Sequence, residues 1–226
     1  MKCWSVPAKE LPNSGGGIMI NSSGYMLQDL RQTESEVYFV LDVSDVGLTD
    51  DQFFRLCRDN DDLHIEMSAE GELIIMSPNR PKTGHKHARI LQRLANWAEG
   101  DGTGNVYDAT SEFALPNGSK RTPDCSWILK SRWNSLTEEQ QDSFPAPICP
   151  DFVIEVRSPN DRMKRLKAKM TEYIDNGARL AWLLDPIDNK AYVYRPGDPI
   201  QEIEQPDVLS GDPILPGFRF DFKEIL

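Results

Sequence analysis

Residues 150–159, with the sequence PDFVIEVRSP, form a short apolar run between two prolines. Branched and aromatic residues of this kind predict a buried β-strand. Glu155 interrupts the run and Arg157 follows it by two residues, so both side chains are expected on one face of the strand. A carboxylate on such an apolar strand is costly unless a metal ion, a substrate group or a basic neighbour pairs with it. The stretch therefore predicts a functional site near the end of this strand.

The sequence after this strand predicts a helix and then a second buried strand. Ser158 is a suitable helix cap, Pro159 suits the first turn, and Asp161 stands three residues after the cap. Apolar residues then recur at helical spacing over residues 163–177, and residues 180–184 form a continuous apolar run. Two strands joined by a helix are expected to be parallel, with a right-handed crossover.

The upstream sequence predicts more helices and strands. Helical spacing indicates a helix over residues 84–97, with His87 on its apolar stripe. Thr49 and Gln52 predict the capped start of an earlier helix, and residues 63–76 read as a β-hairpin. Further strands are expected at residues 37–41, 105–108, 111–115, 123–129, 191–194 and 218–222.

This order of elements predicts the α/β class. We expect a central mixed β-sheet flanked by helices, with an N-terminal helix and β-hairpin extension. Residues 37–226 are predicted to form a single domain. Residues 1–36 are poorly patterned and contain three consecutive glycines, which predicts a flexible N-terminal arm.

Composition excludes several classes of protein. The net charge of -11 argues against a protein coated in charge for non-specific DNA binding. The four cysteines lie far apart with no CxxC pair, which argues against a structural zinc site or a disulfide framework and fits a reducing cytoplasm. The sequence has no run of 18 apolar residues and no signal-peptide pattern, so neither a membrane association nor secretion is expected.

Asp124 is the second candidate acid, because Pro123 and Asp124 begin a predicted strand 31 residues before Glu155. If the two strands are adjacent, both carboxylates can meet at one end of the sheet. Two carboxylates and a backbone carbonyl, for which Val156 is the candidate, would make an oxygen-rich site suited to Mg²⁺ or Mn²⁺. Such an ion can activate water and stabilise a phosphorane-like transition state.

Two cations are candidates for the remaining catalytic work. Arg157 cannot deprotonate and would clamp a phosphate, whereas Lys169, on the flank of the predicted helix, is better suited to position water. Basic residues concentrate in two segments, residues 73–98 and 156–170, which together hold 11 of the 25 Lys and Arg residues. Both segments flank the predicted site, as gripping a phosphate backbone would require.

These residues resemble the Uma-two family, bacterial restriction-endonuclease-like proteins of the PD-(D/E)XK nuclease superfamily. The resemblance rests on residues 122–128, 150–161, 169–178 and 181–186, and it extends from about residue 48 to the C-terminus. It implies a magnesium-dependent nuclease fold in which Asp124 is the first acid and Glu155 the second. Arg157 stands where the superfamily has lysine, and Lys169 would be a lysine that has moved to the next helix.

The resemblance also implies an acid from the first helix, where this chain offers only His87 before Glu99. Glu66 or Glu112 would be the substitute. Three functions stay open: a metal-dependent DNA endonuclease, a catalytically inactive nuclease-fold protein that binds nucleic acid or another partner, and a hydrolase of a small phosphorylated metabolite. Structural readings also stay open, with Asp124 as a cap and Glu155 in an ion pair with Arg157 or Lys169. A homodimer is compatible with all three.

Overall fold

The computed structural model describes residues 38–76, 78–159 and 161–226. The predicted flexible arm, residues 1–36, lies outside these ranges. The helices are α1 (Asp50–Asp59), α2 (Pro81–Asp101), α3 (Lys130–Trp133), α4 (Glu138–Gln141), α5 (Met163–Asp175) and a final 3-10 turn (Phe222–Ile225). None of the helices within the described ranges is long and apolar enough to cross a membrane.

The strands form two larger sheets and one two-stranded ribbon. In chain order they are β1 (Tyr38–Asp42), β2 (His64–Met67), β3 (Glu72–Met76), β4 (Gly104–Asp108), β5 (Phe113–Ala114), β6 (Lys120–Arg121), β7 (Cys125–Leu129), β8 (Phe152–Val156), β9 (Leu180–Asp185), β10 (Lys190–Tyr194), β11 (Gln201–Glu204), β12 (Val208–Ser210) and β13 (Arg219–Asp221).

The central sheet has six strands in the order β11-β10-β9-β8-β7-β4. β8 and β9 are parallel and joined by α5, whereas the other neighbouring pairs are antiparallel. The predicted parallel pair and the central mixed sheet are therefore confirmed. β8 is buried along its whole length because it pairs on both edges and is covered on both faces.

Helices cover both faces of this sheet, and alternation along the strands decides which side chain meets which helix. One apolar cluster joins α2 to one face (Ile90, Leu94, Trp127, Phe152, Ile154, Trp182). The other joins α5 to the opposite face (Met170, Tyr173, Ile128, Val153, Leu183). Glu155 shares the face of Val153, so it points toward α5 rather than toward α2.

The N-terminal extension supplies three strands of a second sheet, whose five strands lie in the order β1-β3-β2-β6-β5. The predicted hairpin, β2 and β3, is confirmed, and α1 begins with the predicted capping box between Thr49 and Gln52. β6 was not predicted because it contributes only two residues, Lys120 and Arg121, neither of which is apolar. β6 nevertheless pairs with β2 and brings the second sheet beside the start of β7.

The predicted start of the helix after β8 is wrong. α5 begins at Met163 with Arg162 at its N-cap, five residues after Ser158. The Asp161 carboxylate accepts a hydrogen bond from the Ser158 backbone N–H at 2.6 Å, so these residues close a turn before the helix. The capping pattern was present in the sequence, but here it shapes a loop and leaves β8 room to end beside the site.

Candidate functional site

A cleft with a volume of about 1320 Å³ opens beside the end of β8. It is lined by β2, β3, the segment before β7, the end of β8 and the exposed side of α5. Four of the five predicted site residues, Asp124, Glu155, Val156 and Lys169, line this cleft. Arg157 is not among the described residues that line it.

Strand pairing brings the two acids together. β7 and β8 run antiparallel with Cys125 opposite Ile154, so Asp124 lies one step further on, toward Glu155. The Asp124 Oδ2 atom accepts a hydrogen bond from the Val156 backbone N–H at 2.7 Å, which fixes it against the residue after Glu155. The expected adjacency of the two strands is confirmed, while the separation of the carboxylates that a shared ion requires stays a prediction.

Lys169 reaches the site from α5. Its Nζ atom lies 2.7 Å from Glu155 Oε1 and 2.8 Å from Glu66 Oε1, and it donates to the Thr122 carbonyl at 3.3 Å. One turn further along α5, the Tyr173 hydroxyl donates to Glu155 Oε1 at 3.3 Å. α5 thus supplies both hydrogen-bond donors to Glu155, because residues four apart share one face of a helix.

Glu66, on β2, links the second sheet to the site. Its side chain is 2% exposed, and it accepts hydrogen bonds from the Thr122 backbone N–H at 2.9 Å and from Arg121 at 3.2 Å. Arg121 also donates to Glu172 of α5 at 2.6 Å. The sequence indicated Glu66 as an extra acid but gave no signal for Arg121, since the two-residue strand that places it has no apolar pattern.

The charges in this network depend on pairing as well as burial. Burial raises the pKa of Asp124 and of Glu155 above the ordinary carboxyl value, although Lys169 opposes this. Burial also acts to raise the pKa of Glu66, but Lys169 and Arg121 outweigh it and lower that pKa to about 2. Burial would lower the pKa of Lys169, yet Glu155 and Glu66 raise it above its usual value. Lys169 is therefore a permanent cation here and not a base.

His87 and Arg157 have different surroundings. His87 Nε2 is buried in the cleft wall, 3.5 Å from Asp124 Oδ2, and has no hydrogen-bond partner among the described residues. Burial lowers the pKa of His87, although Glu155 opposes the change. The Arg157 guanidinium instead donates to Asp185 and Asp188 at 2.6 Å each, so two carboxylates of the neighbouring β9 end occupy it.

The basic segments contribute unequally to the cleft. Arg80, Arg162, Arg165 and Lys169 line it. By contrast, two cations of α2 face the C-terminal turn: Arg93 pairs with Glu224, and Lys86 donates to the Ile225 carbonyl. The expectation that both segments line one groove therefore holds only for these four residues, and it fails for Arg157 and for the Lys and Arg residues of α2. Helical rotation turns these α2 side chains away from the site.

The donor set limits which metal the cleft could hold. In the part of the chain that the structure describes, no three His, Cys, Asp or Glu side chains are grouped so as to hold an ion by themselves. A closed zinc-type site needs such a group. Mg²⁺ commonly binds through one or two carboxylates and keeps several waters, so Asp124 and Glu155 fit it.

Comparison with known proteins agrees with this fold. A solved structure described as a putative nuclease belonging to DUF820 from Anabaena variabilis ATCC 29413 has a TM-score of 0.66 and 20% identity, covering 79% of this chain and 97% of that chain. No curated protein matches the chain. The family profile described as "Uma2: Putative restriction endonuclease" matches residues 50–223. Because that match covers well over half of the 226 residues, this chain belongs to the Uma2 family.

Proposed function

We propose that this protein is a metal-dependent endonuclease that hydrolyses DNA phosphodiester bonds in the cleft beside β8. The observation that carries the proposal is the convergence of Asp124, Glu155 and Lys169 in one cleft. Membership of a restriction endonuclease-like family supports the reaction class. Two acids that would hold a divalent ion, with a fixed cation beside them, are suited to phosphodiester hydrolysis.

Asp124, Glu155 and the backbone carbonyl of Val156 would hold Mg²⁺ or Mn²⁺. When bound, such an ion lowers the pKa of a water molecule and neutralises charge on the phosphate. The raised pKa values of Asp124 and Glu155 support this assignment, because buried carboxylates without enough positive charge favour a divalent cation.

The protein's own residues position and stabilise the reacting groups. The Val156 backbone N–H holds Asp124 in place. Lys169, held by Glu66, carries a fixed positive charge and would donate a hydrogen bond to the attacking water or to a phosphate oxygen. Glu66 and Arg121 act one step further away by preventing Lys169 from turning out of the site.

Acidic side chains outnumber basic ones in the cleft, which is unfavourable for a nucleic-acid site. The described residues that line it include eight carboxylates and five Lys or Arg side chains. A polyanion entering such a cleft is repelled until cations compensate the carboxylates. We therefore expect divalent ions to increase DNA affinity as well as turnover, and DNA affinity to fall steeply with salt.

The test is a cleavage assay on plasmid and single-stranded DNA with Mg²⁺ and with Mn²⁺. Wild type is compared with Glu155→Gln and Asp124→Asn, which keep shape and remove charge. Glu70→Gln, an exposed carboxylate at the edge of the same cleft, is the matched control. We expect the first two variants to lose cleavage by at least about 100-fold and the control to retain it. Equal cleavage by all four proteins would refute the proposal.

The alternative is a nuclease-fold module that binds nucleic acid without cutting it. The observation that favours it is that Lys169 is shared between Glu155 and Glu66, so its ammonium group must release one acid to reach a substrate. In that case wild type would bind DNA, but neither Mg²⁺ nor Mn²⁺ would support cleavage. Isothermal calorimetry with Mg²⁺ alone would then decide whether Asp124 and Glu155 still bind an ion.

A further inference from the structure

A second cavity of about 540 Å³ adjoins the cleft, and we call it the side cavity. It is lined by α1, the β2 region, the segment before β5 and the loop containing Phe144. Thr122 borders both the side cavity and the cleft, and it stands two residues before Asp124. Two residues span at most ~7 Å of chain, so a group in the side cavity would lie next to the proposed reacting phosphate.

Glu112 lies in the wall of the side cavity with an unsatisfied hydrogen-bonding group. Its side chain is 6% exposed, and among the described residues its Oε1 atom has no hydrogen-bond partner. Its backbone carbonyl accepts from the Ala146 N–H at 3.0 Å, which fixes this part of the wall. A buried carboxyl oxygen without a partner is costly, and a ligand that brings an N–H donor would relieve that cost.

The rest of the side cavity is suited to a flat ring. Phe54, Leu63 and Phe144 line it and are each more than a third exposed, and the two phenyl rings are 5.9 Å apart. Aromatic rings exposed beside a nucleic-acid cleft offer a face on which a base can stack. A volume of about 540 Å³ lies within the ~300–1,000 Å³ range of small-ligand sites and has room for one nucleoside.

The charge around the side cavity favours a nucleobase over a phosphate group as its occupant. Its charged lining consists of Arg58, Asp61 and Asp62, because Glu112 is protonated at neutral pH. Arg58 is already paired with Asp59 at 2.8 Å, so the acids prevail. A phosphate group would be repelled there, whereas an uncharged ring carrying an amino group would find an acceptor.

We propose that the side cavity receives a nucleobase extruded from the DNA strand that lies in the cleft, with Phe54 stacking on the ring and Glu112 accepting a hydrogen bond from its exocyclic amino group. The inference rests on the proposed function, because it needs DNA in the cleft. Enzymes that act on nucleic acid can extrude a nucleotide, and unstacking costs least in single-stranded or mismatched DNA. Adenine, cytosine and guanine carry the required amino group, whereas thymine does not.

The experiment places 2-aminopurine, whose fluorescence rises when it leaves the stack, at each position of a 12-nucleotide DNA in turn. The full-length protein is added with Ca²⁺, and DNA binding is followed separately by the anisotropy of an end label. For wild type we expect fluorescence to rise severalfold at one position. Phe54→Ala and Glu112→Leu should each reduce that rise by at least half. Ile200→Ala, at an exposed apolar residue outside the cavity, should leave it unchanged.

A second arm tests the hydrogen bond itself. At the responsive position, adenine is replaced by purine without its amino group, which should weaken wild-type binding by about twofold to tenfold. Glu112→Leu should bind the two DNAs equally. Binding without any responsive position, or a response that both variants retain, would overturn the side-cavity proposal and leave the endonuclease proposal standing. Absence of DNA binding by wild type, with Mg²⁺ as well as with Ca²⁺, would overturn both proposals.

Discussion

Glu66 and Glu112 are buried to nearly the same degree, but at neutral pH Glu66 is ionised and Glu112 is protonated. Glu66 is 2% exposed and Glu112 is 6% exposed. Glu66 has Lys169, Arg121 and the Thr122 N–H around it, and its pKa falls to about 2. Burial raises the pKa of Glu112 to about 9, and Glu66 adds repulsion that Lys120, Lys169 and Arg121 do not offset. Burial alone therefore does not decide whether a carboxyl group is ionised, and pairing does.

The difference separates two kinds of site in one molecule. Around Glu66 the charges are compensated and fix the position of Lys169, which the proposed reaction needs. Around Glu112, one carboxyl oxygen beside an open cavity has no hydrogen-bond partner among the described residues. The first arrangement fixes its side chains in place, whereas the second leaves an acceptor for the nucleobase that we propose.

Removing Lys169 should cause the largest loss of stability, because it disrupts the compensated charges around Glu66. Lys169→Ala leaves Glu66 and Glu155 buried with one cation fewer, and removing one partner of a buried pair costs about 3–5 kcal/mol of unfolding free energy. Urea unfolding at neutral pH measures it. The matched control is Lys164→Ala, an exposed residue of the same helix, which should change stability by less than about 0.5 kcal/mol. Equal unfolding midpoints for the two variants would contradict the network.

Glu66→Gln should lower the unfolding free energy by less, about 2 kcal/mol. Lys169 would still pair with Glu155, and Arg121 would still pair with Glu172. The effect should depend on pH. The pKa of Glu66 is lower in the folded protein, so its contribution is present above the ordinary value of 4.5 and is lost as pH falls toward 2. Unfolding at pH 7 and pH 3 checks this: wild type and variant should converge at the lower pH. A constant gap would mean that Glu66 is not ionised in the fold.

Glu112→Gln should show the opposite pH dependence. The pKa of Glu112 is raised from 4.5 to about 9 by burial and by Glu66, against Lys120, Lys169 and Arg121. Its contribution is fully present below pH 4.5 and is lost as pH rises toward 9. Wild type should lose stability relative to the variant between pH 5 and pH 8.5, by about 1.4 kcal/mol of unfolding free energy per pH unit. If the difference between the two proteins grows in the other direction, Glu112 has a cationic partner.

The sequence predicted the central sheet because β8, β9 and α5 have strong and simple patterns. A continuous apolar run and a helical stripe leave little ambiguity, and the alternation of side chains places Glu155 on the side of Lys169. The sequence also indicated Asp124, because it begins a predicted strand, and the expected adjacency of that strand to β8 is confirmed.

Side-chain partners across distant segments could not be predicted in this way. Arg121 contacts Glu66 and Glu172 only because a two-residue strand docks on β2. Sequence spacing carries no information about such a contact, since it depends on tertiary packing of polar residues. The same limit applies to Arg157. Its position two residues after Glu155 predicted a shared role, but its guanidinium group pairs with Asp185 and Asp188.

Arg157→Lys should have the smallest effect and tests whether this residue serves the fold or the substrate. Arg157 is held by Asp185, which is fully buried, and by Asp188, which is exposed. Lysine keeps the charge but cannot span both carboxylates with a fork, so we expect a loss of about 0.5–1 kcal/mol on unfolding. DNA cleavage should stay within about twofold of wild type, because the guanidinium does not line the cleft. Asp188→Asn, which removes only the exposed partner, is the control and should change neither quantity measurably. If cleavage disappears in Arg157→Lys while the unfolding midpoint is kept, Arg157 leaves its two carboxylates to hold the phosphate when DNA binds.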